Sequence, residues 1–225
     1  MNHNFYCVLD LETTSKYPST TQIVQIASLM INPYKLEIVP GSEFQSLVNP
    51  IWEENIAKQY KLDIMDPGAE TKHGKTREIL KNAPSIESVW KNFVTYISQY
   101  GSGWRAPIFC GLNIKNFDYP ILERVMKSKE NGWGFGPLNK EGRQGIFHPV
   151  YSLDIMDQSF MFQEQNRDVN SLSADNFIRG YLGYSKGCAH DAISDVEMSC
   201  EYFIRNMKFI RECVKGIEWK GCLSE

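Results

Sequence analysis

Phe5-Tyr6-Cys7-Val8-Leu9-Asp10-Leu11-Glu12-Thr13-Thr14 is the stretch on which the reading of this chain turns. It opens as an apolar run rich in β-formers, without Gly or Pro, and predicts a buried strand. It then places two carboxylates two residues apart, followed by two hydroxyls. Side chains at i and i+2 of a strand share a face, so Asp10 and Glu12 project side by side. Adjacent negative charges repel, and a fold tolerates them best with a cation between them. Alone, Asp-x-Glu at a strand end is commonly no more than a polar strand terminus. The remainder of the chain decides between the two readings.

Downstream, Gln22 to Ile31 reads as a second strand after a polar loop, and Asn32-Pro33-Tyr34 as a turn. Lys35 to Val39 and Phe44 to Val48 read as a third strand interrupted by Pro40-Gly41, which completes an antiparallel meander. Residues 51 to 83 carry weaker signals: a helical turn through Trp52, Ile56 and Tyr60, a turn at Asp66-Pro67-Gly68, and a basic loop at Lys72-His73-Gly74-Lys75-Thr76-Arg77. That loop suits either a phosphate contact or a solvated charged turn. Asn82-Ala83-Pro84-Ser85 opens an amphipathic helix with Ile86, Val89, Trp90, Phe93 and Ile97 on its core face. Pro107 to Leu112 is a short buried strand. Asn113-Ile114-Lys115-Asn116-Phe117-Asp118 then leads into a helix, with Asp118 where a capping aspartate would sit. Val150 to Ile155 is a fifth strand, Ser171 to Tyr184 a helix, and Asp191 onward the last long helix. The glycine-rich stretch from 131 to 149 reads as an insertion loop, either an ordinary surface insertion or an aromatic-basic flap over nucleic acid.

The 225 residues suffice for one sizeable α/β domain, and no repeat or linker divides them, so 1–225 is expected to be a single domain. The composition, 42% hydrophobic and 23% charged, is that of an ordinary globular protein. A net charge of -3 gives no overall attraction to nucleic acid, which would need a local basic patch or metal ions. Six cysteines without a C-x-x-C pair suggest reduced thiols in an intracellular, cytoplasmic protein rather than a disulfide framework or zinc site. No signal-like segment leads the chain, and no apolar run approaches the roughly 20 residues that span a bilayer, so no membrane association is expected.

Three motifs, in order, convert the Asp10/Glu12 pair into a site. Leu9-Asp10-Leu11-Glu12-Thr13-Thr14 is similar to D-x-E-T/S. Asn113-x-x-x-Phe117-Asp118 is similar to N-x-x-x-F/Y-D, and His190-x-Ala192-x-x-Asp195 to H-x-A-x-x-D. Together they resemble the DnaQ-like (DEDDh) 3′–5′ exonucleases of the RNase H-like superfamily, with lesser echoes at Val48-Asn49-Pro50, His73-Gly74-Lys75-Thr76, Ala83-Pro84-Ser85 and Leu153-Asp154. The resemblance spans about 5–208. Length and the His190-Asp191 pair are also similar to the phage exonuclease A-type members.

The resemblance implies an α/β fold with a five-stranded mixed sheet, its first three strands antiparallel, and helices on both sides. It implies a phosphodiester hydrolase using two Mg²⁺ ions, with Mn²⁺ able to substitute, that releases nucleoside monophosphates from single-stranded 3′ ends. Two ions about 3.5–4 Å apart can activate the water and stabilise both the phosphate and the leaving oxygen, and carboxylate oxygens suit such hard cations. By the family's pattern Asp10, Glu12, Asp118 and Asp195 hold the metals. His190 is the general base, a role its ordinary titration near pH 6.5 permits. Leu11, Thr13, Thr14, Asn113 and Phe117 hold the terminal nucleotide. DNA is the favoured substrate. RNA with the same site, and a non-catalytic RNase H-like nucleic-acid-binding module, are the alternatives. The resemblance leaves the protein partner unknown: a free-standing enzyme and a proofreading subunit both carry this site.

Overall fold

A computed structural model describes residues 4–127, 145–165, 178–183 and 191–215. Strand β1 (Tyr6–Thr13) lies at the centre of a mixed sheet. Antiparallel β2 (Ile23–Asn32) flanks it on one edge, from Tyr6 opposite Ile31 to Thr13 opposite Ile23. Parallel β5 (Ile108–Gly111) flanks it on the other, with β6 (Ser152–Asp154) parallel beyond that. A strand paired on both edges and covered on both faces needs a continuous apolar run, which residues 5 to 9 supply.

The expected third strand is two short ones on the free edge of β2. β3 (Glu37–Ile38) pairs with Ile31 and Asn32, and β4 (Phe44–Leu47) with Gln25 to Ser28. Between them Gly41 takes a left-handed φ of 72°, which breaks the pairing at the Pro40-Gly41 signal. The first three strand positions are therefore antiparallel, as expected, and the fold is α/β.

Helices cover both faces, and alternation along β1 decides what each covers. Cys7, Leu9 and Leu11 pack with Trp90, Phe93 and Ile97 of α4 (Ile86–Ser98) and with Ile121, Leu122 and Val125 of α5 (Asp118–Lys127). Val8 points the other way, into a cluster with Ile155 of α6 (Ile155–Gln165) and Val196, Cys200 and Phe203 of α8 (Ala192–Val214). By the same alternation Asp10 and Glu12 face α8. Cys7, Cys110 and Cys200 are buried free thiols.

Residues 51 to 83 differ from the sequence expectation, forming three short helices: α1 (Glu54–Gln59), α2 (Pro67–His73) and α3 (Arg77–Leu80). Asp66-Pro67-Gly68 is a helix entry, not an isolated turn: the Asp66 carboxylate accepts from the Gly68 and Ala69 N–H groups, and Pro67 occupies the first turn. Lys72 and His73 form the last turn of α2, closed by left-handed Gly74, so the basic stretch is half helical. The fifth strand is shorter than expected because the Asp154 carboxylate accepts from the Met156 N–H and α6 begins at once. Of the helix expected over 171 to 184, 171–177 and 184 lie outside the described residues, and α7 (Arg179–Leu182) is what is described. Most of the glycine-rich stretch, 131–144, also lies outside them. Among the described residues, no helix is long and apolar enough to cross a membrane.

Candidate active site

The pairing of β1 with β5 ends at Val8 and Cys110, while its pairing with β2 continues to Thr13. Past Gly111 the edge of β1 is open, and the Leu11 N–H donates instead to the Asp118 carboxylate (3.1 Å). Asp118, expected as a helix cap, is the first residue of α5 and braces the neighbouring strand. The close approach of β5 depends on Gly111, where a Cβ would lie 2.7 Å from the Leu9 carbonyl oxygen. The opened edge becomes a cleft of about 750 Å³, floored by Asp10, Glu12, Asp118 and Asp195 and walled on one side by α2.

Asp195, in the first turn of α8, meets the pair on β1: a ligand atom from each of Asp10, Glu12 and Asp195 lies within 4.8 Å of the others. Burial and crowding raise the proton affinity of this floor. Asp10 is pushed well above its ordinary value by burial first, then by Asp118, Glu12 and Asp195, with Lys72 opposing. Glu12 rises to about 7, again chiefly through burial, against the pull of Lys72. Burial lifts Asp118 to about 8, although its own N–H and that of Leu11 hydrogen-bond to it. Buried carboxylate oxygens that repel one another in a fixed frame are a donor set suited to a hard divalent cation, which would neutralise what burial makes costly. The residues present therefore fit a Mg²⁺- or Mn²⁺-type ion.

The other expected residues divide by placement. Leu11, Thr13, Asn113 and Phe117 line the cleft. The Thr13 hydroxyl donates to the Ser15 carbonyl. Thr14 is fully buried outside the lining, its hydroxyl donating to the Asp63 carbonyl and accepting from the Gln22 N–H. Asn113 adopts a left-handed φ of 57°, which asparagine tolerates. The Asp154 carboxylate holds this turn, accepting from the N–H groups of Asn113 (2.9 Å) and Lys115 (3.2 Å). His190 lies outside the described residues.

Sequence reasoning missed several participants. Arg179 is 5% exposed and donates to one oxygen of Asp195 (3.0 Å), fixing how that carboxylate is presented. Gln25, opposite Glu12, donates to Asp191 and accepts from the Ala192 N–H, while Lys75 pairs with the same Asp191 oxygen (2.9 Å). Asp191 is held below its ordinary value: burial raises it, but the hydrogen bonds from Lys75 and Gln25 outweigh burial. This clamp anchors the start of α8. His73 is a strut: its Nδ1 accepts from the Lys75 N–H, so Nε2 carries the proton and faces the Thr13 carbonyl (3.3 Å). The one sequence signal for the clamp was a glutamine within the otherwise apolar second strand. Arg179 gave none, because an arginine on a short helix is ordinarily a surface residue.

Comparison with solved structures gives the same architecture at low sequence identity. Cell-death related nuclease 4 (CRN-4) matches with a TM-score of 0.65 at 15% identity, over 92% of this chain and 64% of its own. A 3′-exonuclease solved in recognition of a histone mRNA stem-loop matches at 0.63 and 13%, over 93% and 84%. E. coli exonuclease I in complex with a dT13 oligonucleotide matches at 0.67 and 14%, over 94% and 43%. The chain thus spans under two thirds of CRN-4 and under half of exonuclease I. No curated protein sequence matches it at a significant level. The exonuclease family model matches residues 7–203, a span running from β1 to α8 and enclosing every floor carboxylate, and the chain belongs to that exonuclease family, DnaQ-like in its motif order.

Proposed function

We propose that the protein is a divalent-metal-dependent 3′–5′ exonuclease that releases nucleoside monophosphates from the 3′ end of single-stranded nucleic acid, DNA in preference to RNA. One observation carries the reading: Asp10, Glu12 and Asp195 bring ligand atoms within 4.8 Å of one another on the floor of a cleft that Asp118 shares. Such a cluster costs stability unless a cation occupies it, and a phosphodiester is the substrate whose hydrolysis most needs that cation.

Asp10, Glu12 and Asp195 would hold the metal, two Mg²⁺ ions in the working enzyme, with Asp118 assisting and Mn²⁺ able to substitute. The ions supply charge neutralisation at the phosphate and an acidified water. The chain's own groups do the rest. Arg179 keeps Asp195 in one orientation. Lys72 is the cation on the wall nearest in effect to Asp10 and Glu12, and is placed to attract the substrate phosphate. Leu11, Thr13, Asn113 and Phe117 border the space for the terminal nucleotide, and Thr14 supports it from behind. His190, by its motif, accepts the proton of the attacking water. The chain, 1–225, acts as a single domain with its motif-bearing core at about 5–208. The DNA preference leans on likeness to exonuclease I, whose dT13 complex is that protein's own.

The test is degradation of 5′-labelled DNA and RNA single strands with Mg²⁺ or with EDTA. A ladder that shortens from the 3′ end only with metal, faster on DNA, is the expected result. Faster loss of RNA selects the exoribonuclease. Metal-independent binding without degradation overturns the enzyme in favour of a binding module.

A further inference from the structure

The loop after β1, residues 14–21, is braced far more heavily than a surface connection requires. Asp63 takes both the Ser15 and the Thr20 hydroxyl on one carboxylate oxygen, each at 2.6 Å. The Thr21 hydroxyl accepts from the Ser15 N–H (2.8 Å), and the Tyr17 carbonyl accepts from both Thr20 and Thr21 N–H groups. Arg124 reaches across from α5 to the carbonyls of Pro18 and Thr21. At the crest of this frame stands Tyr17, a residue 57% exposed and part of the cleft lining. The Lys16 ammonium lies over that ring, 5.4 Å from its centroid. Helix α2 lines the same cleft and carries Lys72.

A rigid loop that presents a large aromatic ring to water keeps an apolar surface uncovered, and a ligand that covers it gains without any cost of ordering the loop. A nucleobase is flat and stacks on tyrosine whatever its sequence, and lysines beside the ring attract the phosphates that accompany it. We infer that Tyr17 is a stacking platform for a nucleobase of the bound strand lying upstream of the terminal nucleotide. Lys16 and Lys72, both on the cleft lining, draw the backbone along the cleft. The inference rests on the exonuclease reading, because the terminal nucleotide is taken to occupy the space bordered by Leu11, Thr13, Asn113 and Phe117.

Fluorescence anisotropy tests it, with a 5′-fluorescein single-stranded DNA 8-mer in Ca²⁺ to hold off hydrolysis. An unlabelled nucleoside 5′-monophosphate is measured separately by calorimetry. Tyr17→Ala is expected to weaken 8-mer binding by about 5- to 100-fold, to leave monophosphate binding unchanged, and to keep the wild-type melting temperature. Tyr17→Phe and Tyr17→Trp are expected to bind the 8-mer within about twofold of wild type, since stacking uses the ring and not the hydroxyl. An 8-mer affinity in Tyr17→Ala equal to wild type overturns the inference while the exonuclease reading stands on the wild type's degradation ladder. Equal losses for the 8-mer and the monophosphate also overturn it, by placing the ring at the terminal nucleotide. A wild type that neither binds nor degrades the strand removes both.

Discussion

On the floor of the cleft, carboxylates from β1, α5 and α8 crowd one another, and burial lifts Glu12 to about 7 and Asp118 to about 8. On the α2 wall, Lys72 and its neighbours stand on a short helix at the surface, with Asp66 capping one end and Gly74 closing the other. The floor stores repulsion in a frame that cannot relax, since β1 is paired along its length to β2 and α8 is clamped through Gln25, Lys75 and Asp191. The wall carries its charge at the surface, and His73 is the buried strut that ties it to β1. A floor of that kind suits chemistry common to a family. The wall, with its exposed lysine, suits affinity for the strand.

Asp10→Asn should have the largest effect. Removing a metal-holding carboxylate should cost several kcal/mol of transition-state stabilisation, on the order of 10³-fold in kcat. The same variant should melt higher than wild type in EDTA, because it relieves a carboxylate that burial and three neighbours push well up. A chain of this size shifts by about 2–4 °C per kcal/mol. An unchanged or lower melting temperature in EDTA would remove the claim that the floor stores repulsion.

Arg179→Met comes next. It removes the buried guanidinium that pairs with Asp195, and urea denaturation should show a loss of about 3 kcal/mol. The double variant Arg179→Met/Asp195→Asn should recover most of that loss; simple additivity of the two changes would mean the pair is not coupled.

The pH dependence follows from the raised values. A carboxylate whose folded value exceeds its unfolded one binds protons more tightly when folded, so it stabilises below the unfolded value and loses that contribution as pH rises through the folded one. For Glu12 the window runs from 4.5 to about 7, and for Asp118 from 3.8 to about 8. The metal-free protein should therefore lose stability steadily as pH rises from about 4 to about 8, and saturating Mg²⁺ should flatten that decline. Melting curves across this range, with EDTA and with Mg²⁺, check the sign.

Lys72→Met should have the smallest effect, chiefly on strand binding, since Lys72 reaches the floor only through its secondary pull on Asp10 and Glu12. KM for a single strand should rise several-fold with kcat nearly constant, and the log–log salt slope of binding should become shallower by about 0.7, one phosphate contact. A drop in kcat with KM unchanged would instead assign Lys72 to the floor.

The same division explains what the sequence revealed. β1 announced itself because a strand covered on both faces must be apolar, and Asp10 and Glu12 stood out against that run. α4 was legible from Val89, Trp90, Phe93 and Ile97 at helical spacing, and all four are buried. Asp118 and Asp195 were found through resemblance, since either alone looks like an ordinary residue at a helix start. The wall was hardly legible: α1 to α3 are too short for a periodic signal, and Asp66-Pro67-Gly68 has the composition of a turn whether or not a helix follows. Arg179 gave no signal and the Gln25–Lys75–Asp191 clamp only the lone glutamine, because their meaning lies in contacts between residues far apart in sequence, 166 positions for Gln25 and Asp191.

The exonuclease reading stands on the floor being a carboxylate site that holds protons until a divalent ion displaces them. Calorimetric titration of Mn²⁺ into the nucleic-acid-free protein at pH 7, in two buffers of different ionisation enthalpy, tests this directly. Binding should release protons, because Glu12 at about 7 and Asp118 at about 8 are partly protonated there, and Asp10→Asn should bind Mn²⁺ far more weakly. Absence of Mn²⁺ binding to the wild type, or binding without proton release, would contradict the account.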